Sequence, residues 1–205
     1  MSKPRRSSRN WRDRQERDPY VLQSRRDGFR SRAVYKLVEI LDSAGWQPRR
    51  DLVAIDLGAA PGGWSQYIAR RAGDAAQIVA VDLLPIEPMP GVTVIQGDFT
   101  EQSVLDEIRQ TIDDRPVDLV MSDMAPNLSG MRSVDQPKAM YLAELALETA
   151  MEFLRPGGWF VCKVFHGEGF DAFVADARRR CKSVKMKKPK ASRDSSRETY
   201  LLARN

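Results

Sequence analysis

Apolar residues along this chain form two alternating patterns from residue 52 onward. Short runs rich in β-branched residues predict strands, and these runs are LVAID at 52–56, QIVAVDLL at 77–84, VTVIQ at 92–96, VDLVMSD at 117–123 and GWFVCKVF at 158–165. Stretches with helical periodicity separate them, at roughly 62–72, 101–112, 137–154 and 168–181. Continuous apolar strands between amphipathic helices predict a parallel sheet covered on both faces, which is a doubly wound α/β fold.

The two ends of the chain differ from this alternation. Residues 1–30 are rich in Arg and Ser and lack apolar periodicity, which predicts a flexible N-terminal arm with little structure of its own and a single domain at 31–205. A first helix is predicted behind Ser31, a candidate N-cap, and reaches at least Leu41. The run TYLLAR at 199–204 follows a Lys-rich segment by a connection too short for a crossover helix, so it is predicted to be an antiparallel strand.

Charge is distributed unevenly over the 205 residues, although the net charge is only +5. Residues 1–36 carry 12 Lys and Arg against 4 Asp and Glu, and residues 178–205 carry 11 against 2. Residues 37–177 carry 10 against 22. An acidic body with two basic ends predicts a polyanionic partner held by the ends, and the alternative is a solvated tail at each end.

Composition excludes several classes of protein. No apolar run approaches the roughly 20 residues that span a bilayer, and the N-terminus lacks an apolar signal region, so we expect a cytoplasmic protein without a membrane partner. Cys162 and Cys181 are too few for a disulfide framework or a zinc site. Since His166 is the only histidine, no metal is expected. We also expect a monomer.

The most specific stretch is DLGAAPGGW at 56–64, which leaves the first predicted strand and opens a helix. A doubly wound sheet binds nucleotides at this point, where small residues let a ligand approach the backbone. The stretch is not G-x-G-x-x-G, because Ala60 stands two residues after Gly58, so a dinucleotide is the weaker interpretation. Trp64 is either a wall of the pocket or an aromatic residue that packs the helix.

Two acidic residues follow at the ends of neighbouring predicted strands. Asp82 closes the second strand, where a carboxylate accepts hydrogen bonds from ribose hydroxyls, and Asp98 closes the third, where it accepts from an adenine amino group. Each taken alone is better explained as a turn residue. Together with the loop they predict an adenosine pocket without a phosphate-specific element, which suits S-adenosylmethionine.

The fourth strand ends in SDMAPN at 122–127, and the fifth contains Lys163 among apolar neighbours, where a lysine is costly to bury unless it is paired. These stretches, with DLGAAPGGWSQ, the GDF turn and SRETYLL, closely resemble the FtsJ-type ribose 2′-O-methyltransferases of large-subunit ribosomal RNA. The resemblance extends from about Ser31 to the C-terminus and implies a Rossmann-like fold dependent on S-adenosylmethionine.

This resemblance also implies site residues, motif by motif. The catalytic set of the family is Lys-Asp-Lys-Glu, which falls here on Lys36, Asp123, Lys163 and Glu198. Cofactor contacts carry over to Gly62, Trp64, Asp82, Asp98 and Asp123. The implied substrate is the A-loop uridine of 23S rRNA within the large ribosomal subunit, and the implied product of the cofactor is S-adenosylhomocysteine.

A ribose 2′-hydroxyl is a poor nucleophile, so the enzyme must align it with the methyl group and help to remove its proton. Lys163 is the candidate for this work, either as the base or as a protonated group that orients the oxygen. Rival chemistries fit less well, because SDMAPN contains neither a cysteine nucleophile nor an aromatic residue to stack a flipped base. From another class, an inert RNA-binding ribosome assembly factor would also explain the basic ends. A methyltransferase that acts on the ribose of another RNA is the second alternative.

Overall fold

The computed structural model describes residues 18–127, 129–193 and 196–205. Within them, the helices are α1 Pro19–Arg26, α2 Val34–Asp42, α3 Gly63–Ala72, α4 Gln102–Ile112, α5 Arg132–Phe153 and α6 Phe170–Arg180. The strands are β1 Val53–Leu57, β2 Gln77–Asp82, β3 Val92–Gln96, β4 Val117–Ser122, β5 Leu154–Phe165, β6 Ser183–Lys187 and β7 Glu198–Arg204. Helices and strands alternate from β1 to β6 apart from the direct connection between β2 and β3, as the apolar pattern predicts.

The strands of the described residues form one sheet in the order β3-β2-β1-β4-β5-β7-β6. Neighbours from β3 through β5 are parallel, whereas β7 runs antiparallel to both β5 and β6. The doubly wound α/β fold and the antiparallel last strand are therefore confirmed. Because β1 and β4 are adjacent and their connections leave in opposite directions across the sheet, their carboxyl ends flank the crevice where such sheets bind ligands.

The core consists of two apolar layers, one on each face of the sheet. Alternate residues of β1 serve both layers, since Val53 and Ile55 face one layer and Ala54 faces the other. Residues of α4, α5 and α6 belong to the first layer, and residues of α2 and α3 belong to the second. Helix α2, which carries Lys36, therefore packs against the face of the sheet that the second layer covers.

The predicted arm needs a correction, because residues 18–30 fold onto the domain. Asp18 caps α1 by accepting a hydrogen bond from the Tyr20 backbone N–H at 3.0 Å, and Pro19 occupies the first turn. The Tyr20 ring packs 5.6 Å from that of Tyr35, and Ser24 is buried. Residues 1–17 of the arm, with their arginines, lie outside the described residues.

Three other differences concern strand and helix bounds. No strand was predicted in the Lys-rich run, but Ser183–Lys187 forms β6, because its pairing with β7 supplies the hydrogen bonds that its weak apolar pattern does not reveal. β5 begins at Leu154 and α5 at Arg132, each earlier than predicted. Among the described residues, no helix is both long enough and apolar enough to cross a membrane.

Candidate active site

The loop between β1 and α3 has a backbone that requires glycine at two positions. Gly58 and Gly62 have φ angles of +70° and +98°, in the left-handed region that L side chains rarely adopt. A Cβ atom on Gly62 would lie 2.4 Å from Cε of Met89, and one on Gly58 would lie 2.2 Å from Cγ of Met124. The loop therefore keeps its shape only with glycine at these sites.

This loop forms one wall of a cavity at the carboxyl ends of β1 and β4. The lining residues are Ser31, Ala33, Asp56, Gly58, Ala59, Ala60, Pro61, Gly63, Trp64 and Asp123. Trp64 and Asp123 are thus placed in the lining, and Gly62 lies within the loop between two lining residues. Carboxylates are the charged groups of this lining, and no lysine or arginine belongs to it.

Trp64 fills both of the roles that the sequence leaves open. The residue lines the cavity and is also 3% exposed within the second core layer. Its indole Nε1 donates to the carbonyl oxygen of Ala33 at 2.8 Å, and its ring lies 6.0 Å from that of Tyr200. Because Trp64 contacts both the segment before α2 and strand β7, it joins the cofactor loop to the elements that carry the other candidate residues.

Asp82 and Asp98 lie at the ends of β2 and β3, as predicted, but outside the lining of this cavity. The two oxygens of Asp82 accept hydrogen bonds from the backbone N–H groups of Ala60 and Leu84, both at 2.8 Å. Oδ1 of Asp98 accepts from the backbone N–H and hydroxyl of Thr100, at 2.9 and 2.7 Å. Both carboxylates therefore hold loop backbone, and Asp82 fixes the cofactor loop itself.

Asp56 is a site residue that the sequence reasoning missed. Its side chain is 1% exposed, and its Oδ2 accepts from the backbone N–H and hydroxyl of Ser65 at 3.0 and 2.7 Å. Burial raises the pKa of Asp56 to about 7, against the opposing effect of the Ser65 hydrogen bonds. The available signal was a carboxylate inside the apolar run LVAID, which is costly unless the site uses it.

The predicted pair of Asp123 and Lys163 is present in the structure. Lys163 Nζ lies 3.1 Å from Asp123 Oδ1 and donates to the Asp123 backbone carbonyl at 2.5 Å. Ser122 and Cys162 are register partners of the parallel strands β4 and β5, so the next residues of both strands meet at the same edge. The buried lysine is thus paired, as the cost of burying a charge requires.

The other two predicted catalytic residues connect to this pair through a tyrosine. Tyr200, opposite Lys163 in the register of β5 and β7, donates to Asp123 Oδ1 at 2.7 Å and accepts from Lys36 Nζ at 3.0 Å. Lys36 Nζ also lies 2.8 Å from Glu198 Oε1. The structure therefore joins all four predicted residues in one polar chain, in the order Lys163, Asp123, Tyr200, Lys36 and Glu198.

Tyr200 was not predicted as a site residue, although it is fully buried in a predicted strand. A buried tyrosine hydroxyl needs a hydrogen-bond partner, and this requirement was the available signal. Burial, with the nearby charges of Asp123 and Glu198, raises the pKa of Tyr200 well above its ordinary value. Its hydroxyl therefore keeps its proton and bridges a carboxylate and an ammonium group.

Glu198 keeps its charge in this partly buried environment. Burial raises its pKa, but the charge and hydrogen bond of Lys36, with smaller effects of Ser192 and Lys163, together lower the pKa overall. The Lys36–Glu198 pair is therefore an ion pair at neutral pH. It lies on the border of a second cavity, lined by Arg32, Ala33, Lys36, Arg193, Ser196 and Glu198.

Two further side chains with potential reactivity, those of Cys162 and His166, do not belong to the polar chain. Burial raises the pKa of the Cys162 thiol to about 12, so it remains protonated. His166 is exposed beyond the end of β5 and packs 4.3 Å from the ring of Phe170. Across the described ranges, no cluster of three His, Cys, Asp or Glu side chains is arranged to hold a metal ion.

Comparison with known proteins extends these observations. The family model of FtsJ-like methyltransferases matches residues 29–205. The chain is 54% identical over 202 residues to the ribosomal RNA large subunit methyltransferase E of Alkalilimnicola ehrlichii, covering 98% of this chain and 96% of that one. The corresponding protein of Pseudomonas aeruginosa is 54% identical over 198 residues, which cover 97% of this chain and 95% of that one.

Among solved structures, a Plasmodium falciparum protein described as a ribosomal RNA methyltransferase superposes with a TM-score of 0.76 at 25% identity. The match covers 86% of this chain and 98% of that one. The cofactor loop and the polar chain both fall inside the region that the family model matches. The chain belongs to the family of FtsJ-like methyltransferases and is a methyltransferase.

Proposed function

We propose that this enzyme transfers the methyl group of S-adenosylmethionine to the ribose 2′-hydroxyl of a uridine in the A-loop of 23S rRNA, within the large ribosomal subunit. The observation that carries the proposal is the polar chain from Lys163 to Glu198, which lies beside the cavity of the cofactor loop. The high identity to bacterial large-subunit methyltransferases supports the choice of ribosomal RNA as the substrate.

The first cavity fits S-adenosylmethionine chemically. Its lining contains the acidic side chains of Asp56 and Asp123 and no lysine or arginine, so it suits a sulfonium cation better than a pyrophosphate. We propose that Gly62 and Trp64 hold the cofactor, with Asp82 accepting from the ribose hydroxyls and Asp98 from the adenine amino group. Carboxylate oxygens that already hold loop backbone retain lone pairs for these contacts.

When bound, the cofactor supplies a methyl carbon whose bond to sulfur breaks as its bond to the 2′-oxygen forms, and S-adenosylhomocysteine leaves. Lys163 orients the acceptor oxygen or takes its proton, and Asp123 fixes the position of the lysine through two contacts. Lys36, paired with Glu198, fixes the position of the Tyr200 hydroxyl, and this hydroxyl in turn fixes Asp123 beside the acceptor ribose. The two roles of Lys163 differ in pH dependence, because only a base gains activity as the lysine loses its proton.

The basic ends support an RNA partner. Lys188 and its neighbours precede β7, which carries Glu198, so this end borders the polar chain. An inert RNA-binding assembly factor would need these basic ends but not a buried Lys163–Asp123 pair, which makes that alternative weaker. In that case, ribosomal particles would bind without receiving a methyl group.

Transfer of labelled methyl from S-adenosylmethionine to large ribosomal subunits and to free 23S rRNA tests the proposal. One portion of the RNA is then digested to nucleosides, since fragmentation in the mass spectrometer separates a ribose-methylated uridine from a base-methylated one. A second portion is digested to oligonucleotides, which locate the label in the RNA sequence. We expect 2′-O-methyluridine at one A-loop position, and none with Lys163→Ala. Label on a base, or in another RNA, would contradict the proposed acceptor.

A further inference from the structure

The second cavity lies between the first turn of α2 and the connection from β6 to β7. Lys36 and Glu198 belong both to its lining and to the polar chain of the active site, so the cavity lies directly beside one end of the polar chain. Ala33 lines both this cavity and the first one. The two cavities therefore meet around one short segment before α2.

Charge distinguishes the two cavities. The first has carboxylates and no cation in its lining, whereas the second has three cationic side chains and one carboxylate. Lys36 is paired with Glu198, and Arg32 is paired with Asp18. Among the lining side chains, Arg193 therefore supplies the excess positive charge of the second cavity.

Side chains of α2 and the segment before it hold the connection that carries Arg193. Glu39 accepts from the backbone N–H groups of Lys190 and Ala191, at 2.7 and 3.1 Å, and Arg32 donates to the Ala191 carbonyl. At the other side of the connection, Lys188 Nζ donates to the Glu198 carbonyl at 2.6 Å. The cavity is thus built in advance, which lowers the cost of binding an anion there.

We propose that the second cavity is a subsite for one backbone phosphate of the RNA, adjoining the acceptor ribose, and that Arg193 is its phosphate-binding residue. This inference rests on the proposed function. A ribose whose 2′-oxygen reaches Lys163 has a phosphate on either side of it, and a guanidinium group binds phosphate oxygens well. The lining of the first cavity has no cationic side chain to bind that phosphate, so charge directs the RNA backbone to the second cavity and leaves the first to the cofactor.

The test compares Arg193→Ala with Arg50→Ala, a matched control. Arg50 is an exposed arginine that precedes β1, so it lies near the amino ends of the parallel strands, away from the edge that carries the site, and its replacement changes the net charge equally. Affinity is measured for a labelled A-loop hairpin of 23S rRNA, and for two versions with a single neutral methylphosphonate linkage on the 5′ or the 3′ side of the acceptor uridine.

We expect Arg193→Ala to weaken hairpin binding about tenfold, the size of one charge-assisted hydrogen bond. Arg50→Ala should change it less than about twofold. One of the two neutral linkages should weaken binding to the wild-type enzyme about tenfold and have no further effect on Arg193→Ala. The salt slope of binding should fall by about 0.7–0.9 for the lost phosphate contact.

The inference is overturned if both neutral linkages weaken Arg193→Ala as much as they weaken the wild type, or if the two arginine variants bind alike. S-adenosylmethionine affinity, measured by calorimetry, should be equal in all three proteins, since Arg193 does not line the first cavity. Failure of the proposed function would give a different result, because the wild-type enzyme would then bind the hairpin without methylating ribosomal particles at the A-loop.

Discussion

The two halves of the active site are built in different ways. The cofactor loop belongs to nine consecutive residues, Asp56–Trp64, which end β1, form the loop and open α3, and it depends on backbone conformation at two glycines. The polar chain contains side chains that lie as far apart in sequence as Lys36 and Tyr200, and it depends on ion pairs and hydrogen bonds. The sheet order β4-β5-β7 brings four of these side chains to one edge, and helix α2 adds Lys36.

This difference indicates a division of labour. We propose that the loop contacts the cofactor through its backbone, so a change in the loop should act first on cofactor affinity. We propose that the side chains of the polar chain orient the acceptor and its proton, so a change in them should act first on the rate of transfer.

The largest expected effect is on the rate, through Lys163. Lys163→Ala removes the group that we propose contacts the acceptor oxygen, so we expect kcat to fall about 100- to 10,000-fold, the usual contribution of a positioned acid or base. Lys163→Arg should fail as well, because the guanidinium group is larger and always charged. Methyl transfer to ribosomal particles measures both variants.

The control for this prediction is Lys182→Ala, which removes an exposed lysine just beyond α6. It should retain near wild-type turnover. Cofactor affinity of Lys163→Ala should stay within a few-fold of the wild type, because Lys163 does not line the first cavity. Loss of cofactor binding at an unchanged rate would break the division between the two halves.

The next effect concerns Asp56, the buried carboxylate of the loop, whose pKa of about 7 contrasts with about 3.9 in an unfolded chain. Between these values the folded protein holds a proton that the unfolded chain lacks. The free energy of unfolding therefore decreases as pH rises from about 4 to 7. Asp56→Asn does not titrate, so its stability relative to the wild type should increase by about 2 kcal/mol between pH 5 and pH 7.

Urea unfolding of both proteins at pH 5, 6 and 7 checks this prediction. Taking the difference between the two proteins removes the contribution of the other carboxylates. Ser65→Ala, which deletes a hydroxyl donor to Asp56, should move the decrease to higher pH. A stability difference that is constant across the range would mean that Asp56 is ionised throughout.

A smaller effect is expected at Gly62, where only binding should change. Gly62→Ala adds a Cβ atom 2.4 Å from Cε of Met89 at a φ of +98°, so the loop must shift. We expect S-adenosylmethionine affinity to fall about tenfold by calorimetry, with kcat at saturating cofactor nearly unchanged. Gly45→Ala has a φ of +64° and nothing within 4 Å, so it should cost only about 1 kcal/mol of stability and no affinity. Equal affinity losses in both variants would contradict a local effect.

Sequence alone predicts the elements of this fold that have a strong local pattern, and it misses those that depend on distant partners. The parallel strands and their helices have strong apolar patterns, and their positions are predicted to within a few residues. Strand β6 and helix α1 were missed, because both are rich in basic and polar residues and are stabilised by partners distant in sequence. For α1, the local signal of Asp18 and Pro19 was present but is too short to decide between helix and turn.

For the site, residue types were predictable and their connections were not. The cofactor loop could be found because the glycines that it requires lie close together in the sequence. Lys163 could be found because a lysine in an apolar strand needs a reason. Tyr200 could not be assigned, since its role depends on the antiparallel register that places it opposite Lys163. That register is a property of the assembled sheet.

The smallest expected effect tests this unpredicted residue. Tyr200→Phe removes only the hydroxyl that bridges Asp123 and Lys36, while the ring remains in the core beside Trp64. Asp123 keeps its contact with Lys163 and Lys36 keeps Glu198, so we expect a fall in kcat of about fivefold, corresponding to about 1 kcal/mol for one hydrogen bond. If the hydroxyl transmits the position of Lys36 to Asp123, then Lys36→Met should cost much less in the Tyr200→Phe background than in the wild type. Additive losses in this double-mutant cycle would show that Lys36 acts on the acceptor directly, and that the polar chain is two independent pairs.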